Sequence, residues 1–176
     1  MQNHLVISAI APNRPGIANE ITSLVTKCGC NILESKMKSM GDTFSLILMA
    51  AGEWNSIAKL EHTLPSKASS MQMTTMMQRT EIQQPKPELP YRVKIFSLDN
   101  PGITQEITHF FTDNGINIQE MSCNTYPAQH TGAMVGATKL TVSIPTSLQV
   151  SKIREKFRLF CDKTNLDGEM KPIGQD

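Results

Sequence analysis

Asp99-Asn100-Pro101-Gly102-Ile103 and its echo Asn13-Arg14-Pro15-Gly16-Ile17 decide the fold of this chain. Each follows a short apolar, strand-like run and opens a helical pattern. The two Pro-Gly pairs stand 86 residues apart (101 − 15), and the likeness continues downstream at that offset. Ile17, Glu20, Ile21, Thr22, Thr26, Gly29, Asn31, Ile32 and Glu34 recur as Ile103, Glu106, Ile107, Thr108, Thr112, Gly115, Asn117, Ile118 and Glu120. A period this long, shared at so many positions, means two copies of one folding unit.

At 176 residues the chain has room for one ordinary domain or two small ones, and the repeat selects two. Residues 1–80 are expected to form the first and 91–176 the second. Residues 81–90 join them, because Gln83 to Pro90 holds three prolines and reads as a short, semi-rigid linker. The 17 basic and 16 acidic residues leave a net charge of +1, so neither a broad basic surface for nucleic acid nor an acidic tail is expected. The longest apolar run, Phe44 to Ala51, is broken by Ser45 and is far too short to cross a bilayer. The first residues lack the Lys/Arg cluster of a signal peptide. Cys28, Cys30, Cys123 and Cys161 have neither the spacing nor the density of a secreted disulfide scaffold. A cytoplasmic protein without a membrane segment is expected.

Periodicity supplies the element order. His4 to Ile10 alternates as a strand, and Ile17, Ile21, Leu24, Val25 and Cys28 form a helical stripe that Gly29 ends. Pro15 suits the first helical position and Asn13 the cap before it. Asn31 to Met40 and Thr43 to Ala51 read as a hairpin across Gly41-Asp42. A second helix through Ile57, Leu60 and Leu64 is expected to stop at Pro65, before a fourth strand over Ser70 to Arg79. The second repeat gives a strand over Tyr91 to Leu98 and a helix over Pro101 to Asp113. A hairpin over Ile116–Tyr126 and Met134–Ile144, a helix over Ser147–Cys161 and a strand over Leu166–Ile173 follow. Each unit is β-α-β-β-α-β. Aligning Leu46, Leu48 and Ala50 with Leu140, Val142 and Ile144 makes the second hairpin about eight residues longer. Its loop, from Pro127 to Gly132 with Gln129 and His130, is expected to be exposed and mobile.

The repeated turn has a chemistry of its own. It places unpaired backbone N–H groups and the positive end of a helix at the edge of a sheet, where a carboxylate or other small anion can be held. Gly16 and Gly102 let a ligand approach the backbone, since no Cβ stands in the way. Asn31 and Asn117 open the second strand of each unit and are expected next to the turn. An amide there can donate to a carboxylate or accept from an ammonium group. Asp99 could pair with an ammonium group, whereas Asn13 could not. A purely structural account stands beside this one: Pro-Gly starts a helix without any ligand, and Gly-x-Asn-Ile can be a helix stop before a strand.

Other constellations give less. Cys28-x-Cys30 resembles half a metal site, but no second ligand pair follows and the second copy reads Asn114-x-Ile116, so buried thiols are expected. His4, His62, His109 and His130 are scattered, and no nucleophile-base grouping or phosphate-cradling loop is visible. No catalytic residue, metal or cofactor is expected. Met71, Met73, Met76 and Met77 read as core and edge packing, and Lys152, Arg154, Lys156 and Arg158 as a solvated helix face.

A β-α-β-β-α-β unit with an Asp/Asn-x-Pro-Gly turn and a Gly-x-Asn-Ile strand entry resembles the ACT domain, here from Leu5 through Ile173. The resemblance implies an α+β chain of two ferredoxin-like (ACT-type) domains, with antiparallel sheets carrying their helices on one face. It also implies regulatory modules that bind small amino acids at paired domain interfaces. The positions carried over are Asn13, Pro15, Gly16, Ile17, Asn31 and Ile32 in the first unit. In the second they are Asp99, Asn100, Pro101, Gly102, Ile103, Asn117 and Ile118. Asn13 departs from the commoner acidic residue. Two such domains without a catalytic or helix-turn-helix segment resemble tandem ACT transcriptional regulators. By that resemblance the chain is a non-enzymatic repressor and a homodimer, with glycine as effector and a LysR-type transcriptional activator as partner. No direct nucleic-acid binding is expected. A detached regulatory subunit of an amino-acid-metabolising enzyme is the rival reading. RNA-recognition modules share the strand order, but they stack bases on aromatics of the central strands, and Phe44 and Phe96 are few.

Overall fold

Alternating apolar and polar residues over Leu5 to Ala11 commit the first strand to one buried and one open face, and the rest of each unit follows from covering that face. The structure, a computed structural model, describes residues 2–84, 86–98, 101–128 and 132–174. Backbone contacts divide the chain into two compact units, Met1–Gln84 and Pro85–Asp176.

In the first unit the order is β1 (Asn3–Pro12), α1 (Ile17–Lys27), β2 (Asn31–Met40), β3 (Thr43–Gly52), α2 (Trp54–Ser70) and β4 (Thr74–Thr80). The strands form one antiparallel sheet in the order β2-β3-β1-β4. Leu5, Ile7, Leu46 and Leu48 of the central strands meet Ile21 and Val25 of α1 and Ile57, Leu60 and Leu64 of α2 in a single core. Burying each of these side chains completely is worth about 1.5–3 kcal/mol, enough to hold helices that propensity alone would not.

The second unit repeats the plan. It runs β5 (Glu88–Leu98), α3 (Ile103–Asp113), β6 (Asn117–Pro127), β7 (Met134–Pro145), α4 (Val150–Thr164) and β8 (Asp167–Pro172), with sheet order β6-β7-β5-β8. Its core is more aromatic. Phe110 meets Phe111 edge-on at 5.2 Å between ring centroids and stacks on Phe160 at 4.9 Å, with Phe157 completing the cluster. The twofold β-α-β-β-α-β architecture agrees with the fold read from the sequence.

Several details differ from that reading. α2 does not stop at Pro65 but continues to Ser70, and β4 starts at Thr74. Proline removes the N–H that would have reached the Glu61 carbonyl, yet the buried stripe runs on through Leu64 and Ala68, and packing holds the helix across the gap. β5 begins at Glu88, inside the proline-rich stretch. The hairpin register also differs. Ile7 faces Leu48 and Val93 faces Leu140, so β1 and β5 correspond at offset 86 while β3 and β7 correspond at 92, not 94. The second hairpin is therefore six residues longer rather than eight. At the hairpin end each strand gains one residue, and the connection between the strands grows from two residues to six. Gln129 and His130 lie outside the described residues.

Cys28, Cys30 and Cys161 are buried and Cys123 is exposed, all as free thiols. Burial, with Asp162 and Asp167 nearby, pushes the Cys161 thiol up to about 11, which leaves it protonated and inert. Cys161 and the Phe157 ring rest directly on Gly168 of β8: a Cβ there would stand 2.9 Å from the ring and collide with the Cys161 sulfur. Gly168→Ala should therefore force α4 away from β8 at a cost of about 1–3 kcal/mol. Thermal melting of the variant should show the second unit losing stability, and an unchanged melting curve would contradict this packing.

Candidate functional site

The passage from β1 into α1 reverses the chain within four residues, and the backbone conformation of one residue makes that possible. Gly16 caps α1 with φ +89°, and Gly102 caps α3 with φ +93°, both in the left-handed region. Among the described residues, neither helix start receives a side-chain cap. Pro15 thus precedes the helix rather than opening it, and Asn13 is not the cap. A Cβ on Gly102 would meet nothing within 4 Å among the described residues, and one on Gly16 only the Glu20 carboxylate at 3.8 Å. Among the described residues, the first-turn N–H groups of both helices accordingly end at an open, electropositive tip.

Around the first tip the side chains are committed to local partners. The Asn13 N–H donates to the Asp42 carbonyl at 2.8 Å, and the Ser39 hydroxyl donates to Asn13 Oδ1 at 3.2 Å. The turn is thereby tied to the β2–β3 hairpin. Both terminal guanidinium nitrogens of Arg14 donate to the Glu20 carboxylate, at 2.5 and 2.8 Å. These hydrogen bonds hold the Glu20 carboxyl below the ordinary glutamate range and raise Arg14. Sequence reasoning missed Arg14 and Glu20 as a pair. The recurrence of Glu20 as Glu106 was the available signal, but Arg14 is replaced by Asn100 in the second copy and a six-residue spacing matches no helical rule.

Asn31 and Asn117 are not beside these tips within their own unit. Asn31 shares a row with Ala51 and His4 at the start of β1, whereas the turn follows Pro12, in the row of Thr43 and Met40. Eight residues separate the rows, about 26 Å at 3.3 Å per residue. Asn117 stands likewise in the row of Ser143 and Pro90, eight residues from Leu98. Both asparagines are exposed, Ile32 and Ile118 pack partly against the cores, and a bulge follows each isoleucine. Pro15, Pro101 and Gly102 are exposed, Ile17 is buried and Ile103 half-buried. Asp99 and Asn100 lie outside the described residues. Among the described residues no group of three or more His, Cys, Asp or Glu could hold a metal ion, and no helix is long and apolar enough to cross a membrane.

Comparison with known proteins settles the family. The family model of the ACT domain matches residues 3–78. The glycine cleavage system transcriptional repressor of Escherichia coli (strain K12) is 33% identical over 174 residues, covering 98% of this chain and 91% of that protein. The chain belongs to this family of tandem ACT-domain proteins. A solved structure assigned as a glycine cleavage system transcriptional repressor superposes with a TM-score of 0.75 at 28% identity, covering 99% of both chains. A protein of unknown function from Galdieria sulphuraria shares the fold, with a TM-score of 0.79 at 18% identity over 99% of this chain and all of that one. The chain is thus a regulatory ACT protein and not an enzyme. The turn first read as an ACT signature lies inside the segment that the family model matches in the first unit.

The Arg14–Glu20 pair makes a titration prediction. A carboxyl held low in the folded state stabilises the fold fully above its unfolded pKa, and that contribution disappears as pH falls through the folded value. Side-chain NMR of Glu20 should find its midpoint below that of an unpaired glutamate, and Arg14→Ala should return it to the ordinary range. An unshifted Glu20 in the wild type would show that the pair does not form in solution.

Proposed function

We propose that this chain is a glycine-responsive, cytoplasmic regulator of the glycine cleavage system, acting as a homodimer through contact with a LysR-type activator. The observation that carries the reading is the doubled, glycine-opened helix tip in a chain 33% identical to a repressor of that system over nearly its whole length. A zwitterion suits the tip. Its carboxylate accepts from the first-turn N–H groups, and the glycines at 16 and 102 remove the side chain that would keep it away.

The ammonium group needs acceptors, and the amide oxygens of Asn31 and Asn117 are of the right kind. A ligand a few ångströms long cannot bridge about 26 Å within one unit. The tip and the strand entry of one unit therefore do not hold the same small ligand. Contacts at the tips are assigned to Asn13, Pro15, Gly16 and Ile17 and to Asp99, Asn100, Pro101, Gly102 and Ile103, and separate contacts at the strand entries to Asn31 and Ile32 and to Asn117 and Ile118. Asp99 adds an anionic partner for the ammonium that Asn13 does not provide, so the second tip is the stronger candidate.

The effector's size limits its affinity. Glycine has five heavy atoms, and the ceiling for very small ligands is about −1.5 kcal/mol per atom, so binding cannot exceed about −7.5 kcal/mol. That corresponds to a Kd no tighter than a few micromolar. Such a site reads an abundant pool, and it switches a partner only if glycine binds the partner-competent and incompetent states unequally.

Calorimetric titration with glycine should give a Kd in the micromolar to millimolar range, with Gly102→Val removing the larger share of the heat. Absence of heat and of thermal stabilisation at 10 mM glycine would refute glycine as effector. Pull-downs from lysate with and without glycine should recover a LysR-type protein in a glycine-dependent amount; recovery of a metabolic enzyme instead would favour the regulatory-subunit reading.

A further inference from the structure

The two sheets present the same open face, the one their helices do not cover, and the repeats have treated it in opposite ways. In the first unit the registers set three neighbouring rows across β3, β1 and β4: Met49–Val6–Gln78, Ile47–Ser8–Met76 and Ser45–Ile10–Thr74. None of these residues is charged. Met76 is 76% exposed, Ile10 56% and Ile47 48%. The same rows of the second unit are Thr141–Arg92–Lys171, Lys139–Lys94–Glu169 and Ala137–Phe96–Asp167. Every one of them carries charge, and Lys171 pairs with Glu169 on the surface.

A sheet with one solvated face alternates hydrophobic-in and polar-out. The second unit obeys that rule and the first breaks it. Because the fold and the position are the same, the neutrality of the first face is not imposed by the architecture. Five of the nine residues are apolar, interspersed with Gln78, Ser8, Ser45 and Thr74, and an uncharged, partly apolar patch of this kind suits cover by another surface.

The occupant follows from symmetry. A twofold interface brings each residue near its own copy or that of a neighbour, so a face with several like charges repels itself, whereas an uncharged one is self-complementary. On these rows only the edge strand β2 brings charge, at Glu34, Lys36 and Lys38, which would form a polar rim of mixed sign.

We infer that the open face of the first sheet, centred on Ser8, Ile10, Ile47 and Met76, is a self-association surface that takes the same face of a second copy of this chain. The inference names the face used by the homodimer of the preceding section. It does not depend on glycine binding, and its failure would leave the effector reading intact. Three rows on three strands make a footprint of about 300 Å², under half the roughly 800 Å² that each partner gives to a standard stable interface. The association is accordingly weak, and because it buries no charge, salt does not weaken it.

The test is sedimentation of the full-length chain from 1 to 500 µM, without glycine, at low and high salt. The wild type should pass from monomer to dimer across this range, no less at 500 mM than at 50 mM salt. Ile47→Lys and Ser8→Lys place on the first face the residue type that the second unit tolerates at Lys139 and Lys94. Each should raise the dimer dissociation constant at least 100-fold while circular dichroism stays unchanged. Lys139→Ala is the control and should leave dimerisation alone. A wild type that stays monomeric, a dimer that dissociates with salt, or lysine variants that dimerise normally would each overturn the inference. Had another part of the same chain covered the face, the wild type would be monomeric and Ile47→Lys would instead lower the melting temperature.

Discussion

A helix that follows a strand and packs back over the same sheet must turn the chain round within a few residues. In both units a single left-handed glycine, Gly16 or Gly102, makes that turn. An L side chain there costs about 1–2 kcal/mol of backbone strain. The other features of the unit depend on this reversal. It sets α1 and α3 on the face where Leu5, Ile7, Val93 and Ile95 point, and it leaves the opposite face open. It also removes the usual N-cap side chain, so the helix tip is bare where a ligand would arrive.

The repeat made the element order legible, because an offset of 86 residues recurs through strand, turn, helix and strand entry, and no single-element accident produces that. What misled the sequence reading has specific causes. Proline was read as a helix stop at Pro65, where Leu64 and Ala68 carry the buried stripe past it. The hairpin was aligned two residues out of register. A slip of two keeps every side chain on its original face, so alternation alone cannot detect it. Hydrogen-bonded pairing can, and it puts buried Thr138 of the second unit where the first has Leu46.

The candidate site was only half legible. The Pro-Gly turns are visible in the chain because local conformation demands them. The 26 Å between a turn and the strand entry of its own unit is not, since it depends on β1 and β2 being parallel with β3 between them. Likewise the Arg14–Glu20 clamp arises from a turn that folds back over its helix, a geometry without a residue-spacing signature.

The two copies share one fold, so the differences between them mark positions that the fold itself does not fix. Gly16 and Gly102, Asn31 and Asn117, Glu20 and Glu106 are kept. At position 14 the guanidinium that quenches Glu20 becomes Asn100, and the neutral sheet face of the first unit becomes a charged one in the second. These changes fall on the same two features, the helix tip and the open face, and they run in complementary directions. The first unit has an ion pair beside its tip and no charge on the open face of β3, β1 and β4. The second lacks the tip arginine and has a face that water satisfies. On the proposed reading, these physical differences suit the second copy to a zwitterion and the first to contact with protein.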